Sequence, residues 1–178
     1  MFHPDTQFLI DLWRGLAHAP GVRGGVPDRA DFQPEALRGR LARTLLAEGV
    51  GEAAVVRLAG EEIQALHGAV SLAGRRLASL WRAESRPLAL SATAQAVREG
   101  RPVVVVALAG GPDETLEVAV APLRGSKGAI DRLLVLYSRA GVFPAGSAEQ
   151  GLVARVSVGV GKPGRPSLSL AAGHGRVA

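Results

Sequence analysis

Few residues in this chain have a type and spacing that could do chemistry. The imidazoles are His3, His18, His67 and His174. None stands at an i, i+4 spacing from another ligand-type residue, and two lie in segments expected to be loose, so no metal site is expected. The sequence has no cysteine. That removes disulfides, thiolate metal sites and thiol nucleophiles together. Asp28 and Asp31, in VPDRAD, have the spacing of paired carboxylates, but their place just before a short helix assigns them to N-capping. VGVGKPG at 158–164 looks like a phosphate loop, yet Pro163 stands where a Ser or Thr must hold the magnesium ion, and the preceding glycine spacing is wrong. A GxSxG nucleophile elbow is absent. No catalytic constellation results, and the chain is not expected to be an enzyme.

The bulk composition describes a folded body with an unusual tail. Hydrophobic residues make up 47% of 178 residues and aromatics only 4%, so the core must be built from Leu, Val and Ala. This fits one domain of ordinary size with a tail. The net charge is +5, but its location matters more than its size. Arg139, Arg155, Lys162, Arg165 and Arg176 face only Glu149 after residue 138, while the body before them is nearly neutral. A nucleic-acid-associated role for this basic tail is the alternative reading. It is disfavoured because no basic face with interleaved aromatics occurs in the body. The opening MFHPDTQFLI has no basic n-region and carries Asp5, unlike a signal peptide. The longest apolar run, Val103 to Ala109, is far short of the ~20 residues of a membrane-spanning helix. A cytoplasmic protein without a membrane anchor is expected.

The elements follow from periodicity. Phe8, Leu9, Leu12, Trp13 and Leu16 form one stripe at spacings of three and four, capped by Asp5 or Thr6, and predict an amphipathic helix ending near Ala17. The Gly- and Pro-rich AHAPGVRGGVPD after it is a loop. This stripe needs a partner, either its own domain or a second copy of the chain, and it is the expected dimer interface. Pro34 suits the first turn of a short helix with Leu37 and Leu41 on one side. Strands are expected at Thr44–Glu48 and Ala53–Ala59; in the second, Val56 and Leu58 alternate with Arg57. Short helical turns fill 61–82, with Ile63 and Leu66 together and Leu77, Leu80 and Trp81 together. A longer helix runs from Ser85 to Glu99, with Leu88, Ala92, Ala96 and Val97 near one face and Gly100 as its C-cap. Three strands close the body at 103–109, 115–123 and 130–138, antiparallel because short Gly-containing turns join them. The fold class is therefore α+β: a five-stranded antiparallel sheet with helices on one face and an N-terminal amphipathic helix. The division is 1–25 helix and joint, 26–140 domain, and 141–178 a basic, poorly ordered tail. Within that tail only 152–160 and 167–171 look strand-like.

This order of elements resembles a PAS domain, most closely a family of small bacterial PAS-type proteins. The resemblance is carried by HPDTQFLIDLWRGL (3–16), VPDRADFQPEALRGRL (26–41), VVRLAGEEIQALHG (55–68) and LAGRRLASLW (72–81), and with the last strands it spans 3–138. It implies a sensory, ligand-binding or protein-docking module in signal transduction, commonly a homodimer and usually without chemistry of its own. Light-sensing members bond their chromophore through a cysteine, which this chain lacks. Haem-binding members place an axial histidine on the long helix, whereas His67 stands earlier and is expected at the surface or as a cap. The cofactor is left unspecified, and the signalling partner is an unidentified protein. A small apolar or amphipathic ligand would lie between sheet and helices, lined by Ile63, Leu66, Leu80, Trp81, Val104, Val106, Val118 and Leu133.

Overall fold

The computed structural model describes residues 1–111, 113–142 and 144–160, and the backbone of 168–170. Within these the expected elements form close to their expected limits. They are helix α1 (Pro4–Ala17), strands β1 (Thr44–Glu48) and β2 (Val55–Ala59), helices α2 (Glu61–Leu66) and α3 (Arg86–Glu99), and strands β3 (Val103–Leu108), β4 (Thr115–Arg124) and β5 (Ile130–Ser138). Gly100 ends α3 with φ +57°, a left-handed turn that glycine adopts without strain. The sheet is antiparallel throughout, in the order β2-β1-β5-β4-β3, and continues through β6 (Val153–Gly159) and β7 (Leu168–Leu170).

A sixth strand forms within the segment expected to be a tail, over the stretch 152–160 that reads as strand-like. Val153–Gly159 pairs with β3 from Val103↔Gly159 to Leu108↔Val153. The physical reason is the unpaired outer edge that β3 would otherwise expose, whose backbone groups need partners. Residues 161–167 and 171–178, with the tail's Lys162, Arg165 and Arg176, lie outside the described residues; Arg155 is exposed on β6.

Two apolar clusters sandwich the sheet. On one face α2, α3 and the turn Leu77–Leu80 cover Leu45, Val56, Val105, Val118, Leu133 and Tyr137. On the other, α1 brings Leu9, Ile10, Trp13 and Ala17 onto Val104, Ala119, Ala121, Leu134 and Leu136. The helix cap differs from expectation. His3, followed by Pro4 at the first helical position, accepts the Asp5 N–H on Nδ1 at 3.1 Å. Asp5 instead pairs with Arg40 at 2.7 Å, and the His3 N–H donates to Glu117 of β4.

Part of the α1 stripe is thereby committed to its own chain. Leu9 is fully buried, Trp13 is 6% exposed, and the Trp13 indole N–H donates to the Pro122 carbonyl at 2.7 Å. These two positions of the expected dimer surface are core. Phe8, Leu12 and Leu16 stay half-buried, and the Arg40 guanidinium lies 4.0 Å over the Phe8 ring.

Strand β2 departs from simple alternation. Leu46 faces Leu58, but Ala47 faces Val56, so a bulge at Arg57 puts one extra residue into β2. Val56 and Leu58, expected on one side, point to opposite faces: Val56 is fully buried under the helices, and Leu58 is 64% exposed on the α1 side.

Replacing Trp13 by Asp leaves a buried carbonyl without its donor and buries a charge. The expected outcome is destabilisation by ~3–5 kcal/mol or more in urea unfolding, the range of large aromatic truncations in cores. A change in elution volume with unaltered stability would show that the helix stripe is an intermolecular surface instead.

Candidate functional site

The helix-covered face of the sheet is where a ligand is expected, and it is built from short elements. The α2 sequence EEIQAL carries Ile63 and Leu66 to the sheet, 1% and 0% exposed. The turn Leu77–Leu80 leads into Trp81 and brings Leu80 and Trp81 beside them. Val118 and Leu133 complete the floor from β4 and β5. Six of the eight expected lining residues therefore meet in one cluster.

Val104 and Val106 do not join them. Val104 packs in the α1 cluster, and Val106, two residues on, shares its side of the strand. The residues of β3 that face the helices are Val103, Val105 and Ala107. The run VVVVALA is apolar on both sides, so alternation could not tell one face from the other.

Between the sheet and the helices the side chains are buried and packed on one another. Ala89, Ala92 and Ala96 of α3 let the helix lie close on Ala107 and Ala154. The segment after β5 closes the remaining side. The N–H groups of Gly146 and Ala148 donate to the carbonyls of Ala65 and Leu66 at the end of α2, at 2.8 and 2.9 Å. Ala148 and Leu152 are fully buried, and Leu152 exchanges backbone hydrogen bonds with Leu80 and Arg82. The Ser85 hydroxyl accepts from the Ala154 N–H at 3.0 Å, buried. These closing residues were not foreseen, because a lone Ala, Leu or Ser in a Gly-rich stretch carries no periodicity.

One polar pair lies in this core. His67 ends α2 as expected but is 5% exposed rather than a surface residue. Its Nδ1 is 3.0 Å from the Ala148 carbonyl, which can only accept, so Nδ1 carries the proton. Its Nε2, 3.3 Å from the Tyr137 hydroxyl, then accepts from that O–H. Both ring nitrogens are engaged, and His67 presents no free nitrogen to an iron. Burial holds its pKa down at about 4, only partly offset by the Ala148 hydrogen bond and reinforced by the charge of Arg75. Burial pushes the Tyr137 phenol well above its ordinary range. The pair is neutral at physiological pH and ties segment 144–152 to the sheet through α2.

The remaining carboxylates expected to cap do something else. Asp28 and Asp31 flank and occupy the turn Arg29–Asp31 without a side-chain cap hydrogen bond. Both line a surface cleft with Arg23, Arg29, Arg124 and Lys127. Among the described residues no group of three or more His, Asp or Glu is placed to hold a metal ion. No helix among them is long and apolar enough to cross a membrane.

Antiparallel strands in the order β2-β1-β5-β4-β3, extended by β6 and β7, with α2 and α3 inserted between β2 and β3 on one face, define a small α+β domain. The family model described as PAS domain matches residues 1–138, and the chain belongs to the PAS-domain family. Similar solved structures include a light-oxygen-voltage domain examined with a flavin analogue, with 19% identity over 60% of this chain and 83% of that one and a TM-score of 0.47. A second is the light state of the blue-light photoreceptor Aureochrome1 LOV, with 22% identity, 62% and 90% coverage and a TM-score of 0.45. A third is VqmA bound to DPO, with 14% identity, 56% and 53% coverage and a TM-score of 0.43. No curated protein matches the chain.

The low pKa of His67 sets a pH window. The unfolded chain takes up this proton near pH 6.5 and the folded chain only near 4, so the unfolded state binds more protons between those values. Stability is full above about pH 6.5 and falls as the pH drops toward 4, by on the order of 3 kcal/mol from this residue. His67→Phe should flatten the dependence of unfolding free energy on pH across that window; an unchanged slope would show that His67 is not the group responsible.

Proposed function

We propose that this PAS domain is a non-catalytic regulatory module in signal transduction that acts through contact with a protein partner and holds no ligand between sheet and helices. The observation that carries this reading is the filled interior. Ile63, Leu66, Leu80, Val118 and Leu133 are at most 2% exposed and pack on one another. Segment 144–152 closes over them, tied to α2 by two backbone bonds and His67. Packed interiors hold few voids larger than a water molecule, so a ligand would have to displace core side chains to enter.

The buried polar groups fit regulation better than catalysis. A general acid or base works with a pKa near the operating pH and within reach of substrate. His67 is driven away from that range and its nitrogens are engaged internally. A module that passes on information acts through its surface instead.

Two measurements test the closed interior. Leu66→Ala should cost ~2–5 kcal/mol in urea unfolding, as large-to-small changes in packed cores do. Native mass spectrometry of freshly purified full-length chain carrying Leu58→Glu, a change confined to the opposite face, should give the mass of the polypeptide alone. A small molecule retained there and released on denaturation would place a ligand inside and overturn the reading.

A further inference from the structure

The helix α1 contacts β4 and β5 and leaves the β1–β2 end of its face open. The result is an apolar groove of about 220 Å³. Its floor is Leu46, Leu58 and Leu134, adjacent across three strands through the pairs Leu46↔Leu58 and Leu46↔Leu134. Phe32, Leu37 and Leu41, on the turns before β1, form its wall. The floor exists because of the bulge at Arg57. Regular alternation would have sent Leu58 inward with Val56, and the bulge sends it out to 64% exposure.

The groove ends on a basic cleft of about 880 Å³, and Arg29 lines both. The junction is also made along β5, where Arg132 of the cleft stands two residues from Leu134 of the groove on the same side. The cleft has five cations against Asp28 and Asp31. Arg132 is held by Glu48 at 3.0 Å and Asp131 at 2.9 Å. Among the described residues Arg23, Arg29, Arg124 and Lys127 form no ion pair. Arg29 and Arg124 spend part of their fork on backbone carbonyls of Phe32, Arg23 and Gly128, which holds the guanidinium groups in place at the cleft.

We propose that this joined groove and cleft bind a soluble amphipathic anion, with an alkyl chain along Leu46, Leu58 and Leu134 and a carboxylate or phosphate head on Arg29, Arg124 and Lys127. Charge selects the occupant. Four cations without an ion pair among the described residues, beside an apolar floor, match a ligand whose negative end adjoins its apolar end, and guanidinium forks suit oxyanions. Size selects it too. A stable protein interface needs about 800 Å² from each partner, whereas this floor is three leucines wide between a wall of turns and the sheet edge. The ligand site lies on the opposite face of the sheet from the filled interior. It rests on the regulatory reading above and supplies that module with an input that does not require the core to open.

Full-length chain with labelled leucine and valine methyl groups, titrated with sodium decanoate below its micelle concentration, tests the assignment. Decanoate should shift the methyls of Leu46, Leu58 and Leu134, with decylammonium of the same length binding about tenfold more weakly or less. Raising the salt concentration should weaken decanoate binding, since the head-group contacts are exposed to screening. Leu58→Glu and Lys127→Glu, both at exposed positions, should each weaken it about tenfold or more while leaving the unfolding midpoint unchanged. Equal binding of decanoate and decylammonium would overturn the proposal. So would shifts confined to interior methyls such as Leu66, which would instead contradict the closed interior. Binding to phosphatidylglycerol vesicles without binding of free decanoate would assign the surface to membranes. Concentration-dependent shifts of the same leucines without ligand would assign it to a second copy; either result overturns the proposal and leaves the closed interior standing.

Discussion

The central strands of this sheet must be apolar on both sides. Strands β4 and β5 are buried almost from end to end, with Val118, Val120, Leu133, Val135 and Tyr137 turned to α2 and α3 and Ala119, Ala121, Leu134 and Leu136 turned to α1. A sheet buried on both faces removes more apolar surface than one with a wet face, at roughly 25 cal/mol per Å². It also requires two separate covers. Most other features of the fold follow from supplying them. Helix α1 is one cover, and this is why its stripe is spent on the sheet and why the Trp13 indole reaches the Pro122 carbonyl. The second cover is α3 and the short elements before it, completed by a segment from beyond β5.

That segment shows how a core closes without a long element. Residues 144–152 contribute little bulk, yet they satisfy the last carbonyls of α2, which a short helix leaves unpaired. They also offer the Ala148 carbonyl to His67. Gly151 allows the close approach. Its φ is +93°, and a Cβ there would come within 2.7 Å of the Arg82 nitrogen, so Leu152 can bond to Leu80 and Arg82 on the way into β6. The neutral His67–Tyr137 pair fixes the arrangement because its directional bonds have one solution in a dry core.

The body was legible in the sequence because its elements carry strong local signals. Thr44–Glu48, the helix ending at Gly100 and the hairpins of β3 to β5 are bounded by glycine, proline or a cap, and they fall where those signals put them. What failed was whatever depends on a partner distant in the chain. The valine run of β3 hides its own phase, so periodicity does not separate Val104 and Val106 from Val103 and Val105. Val153–Gly159 has ordinary strand composition but lies among glycines, and only the open edge of β3 explains its order. His67 has no neighbour in sequence that announces burial; Tyr137 and Ala148 meet it only in the fold. Of the expected interior site, Ile63, Leu66, Leu80, Trp81, Val118 and Leu133 do converge, because amphipathic spacing marks core positions. Spacing does not say whether core positions enclose space or fill it.

The bulge in β2 links the packed interior to the open face of the sheet. Within three residues the chain commits Val56 to the closed interior and Leu58 to the open side, at the one end of the sheet that α1 leaves uncovered. An exposed leucine costs little on its own, and surfaces carry many. Here it extends Leu46 and Leu134 into a continuous row whose far end meets Arg29 and Arg124, which form no ion pair among the described residues. The proposed recognition surface thus lies on the face of the sheet opposite α2 and α3. The interior is then free to be packed for stability alone, and the three-residue reversal from Val56 to Leu58 is what separates the two tasks.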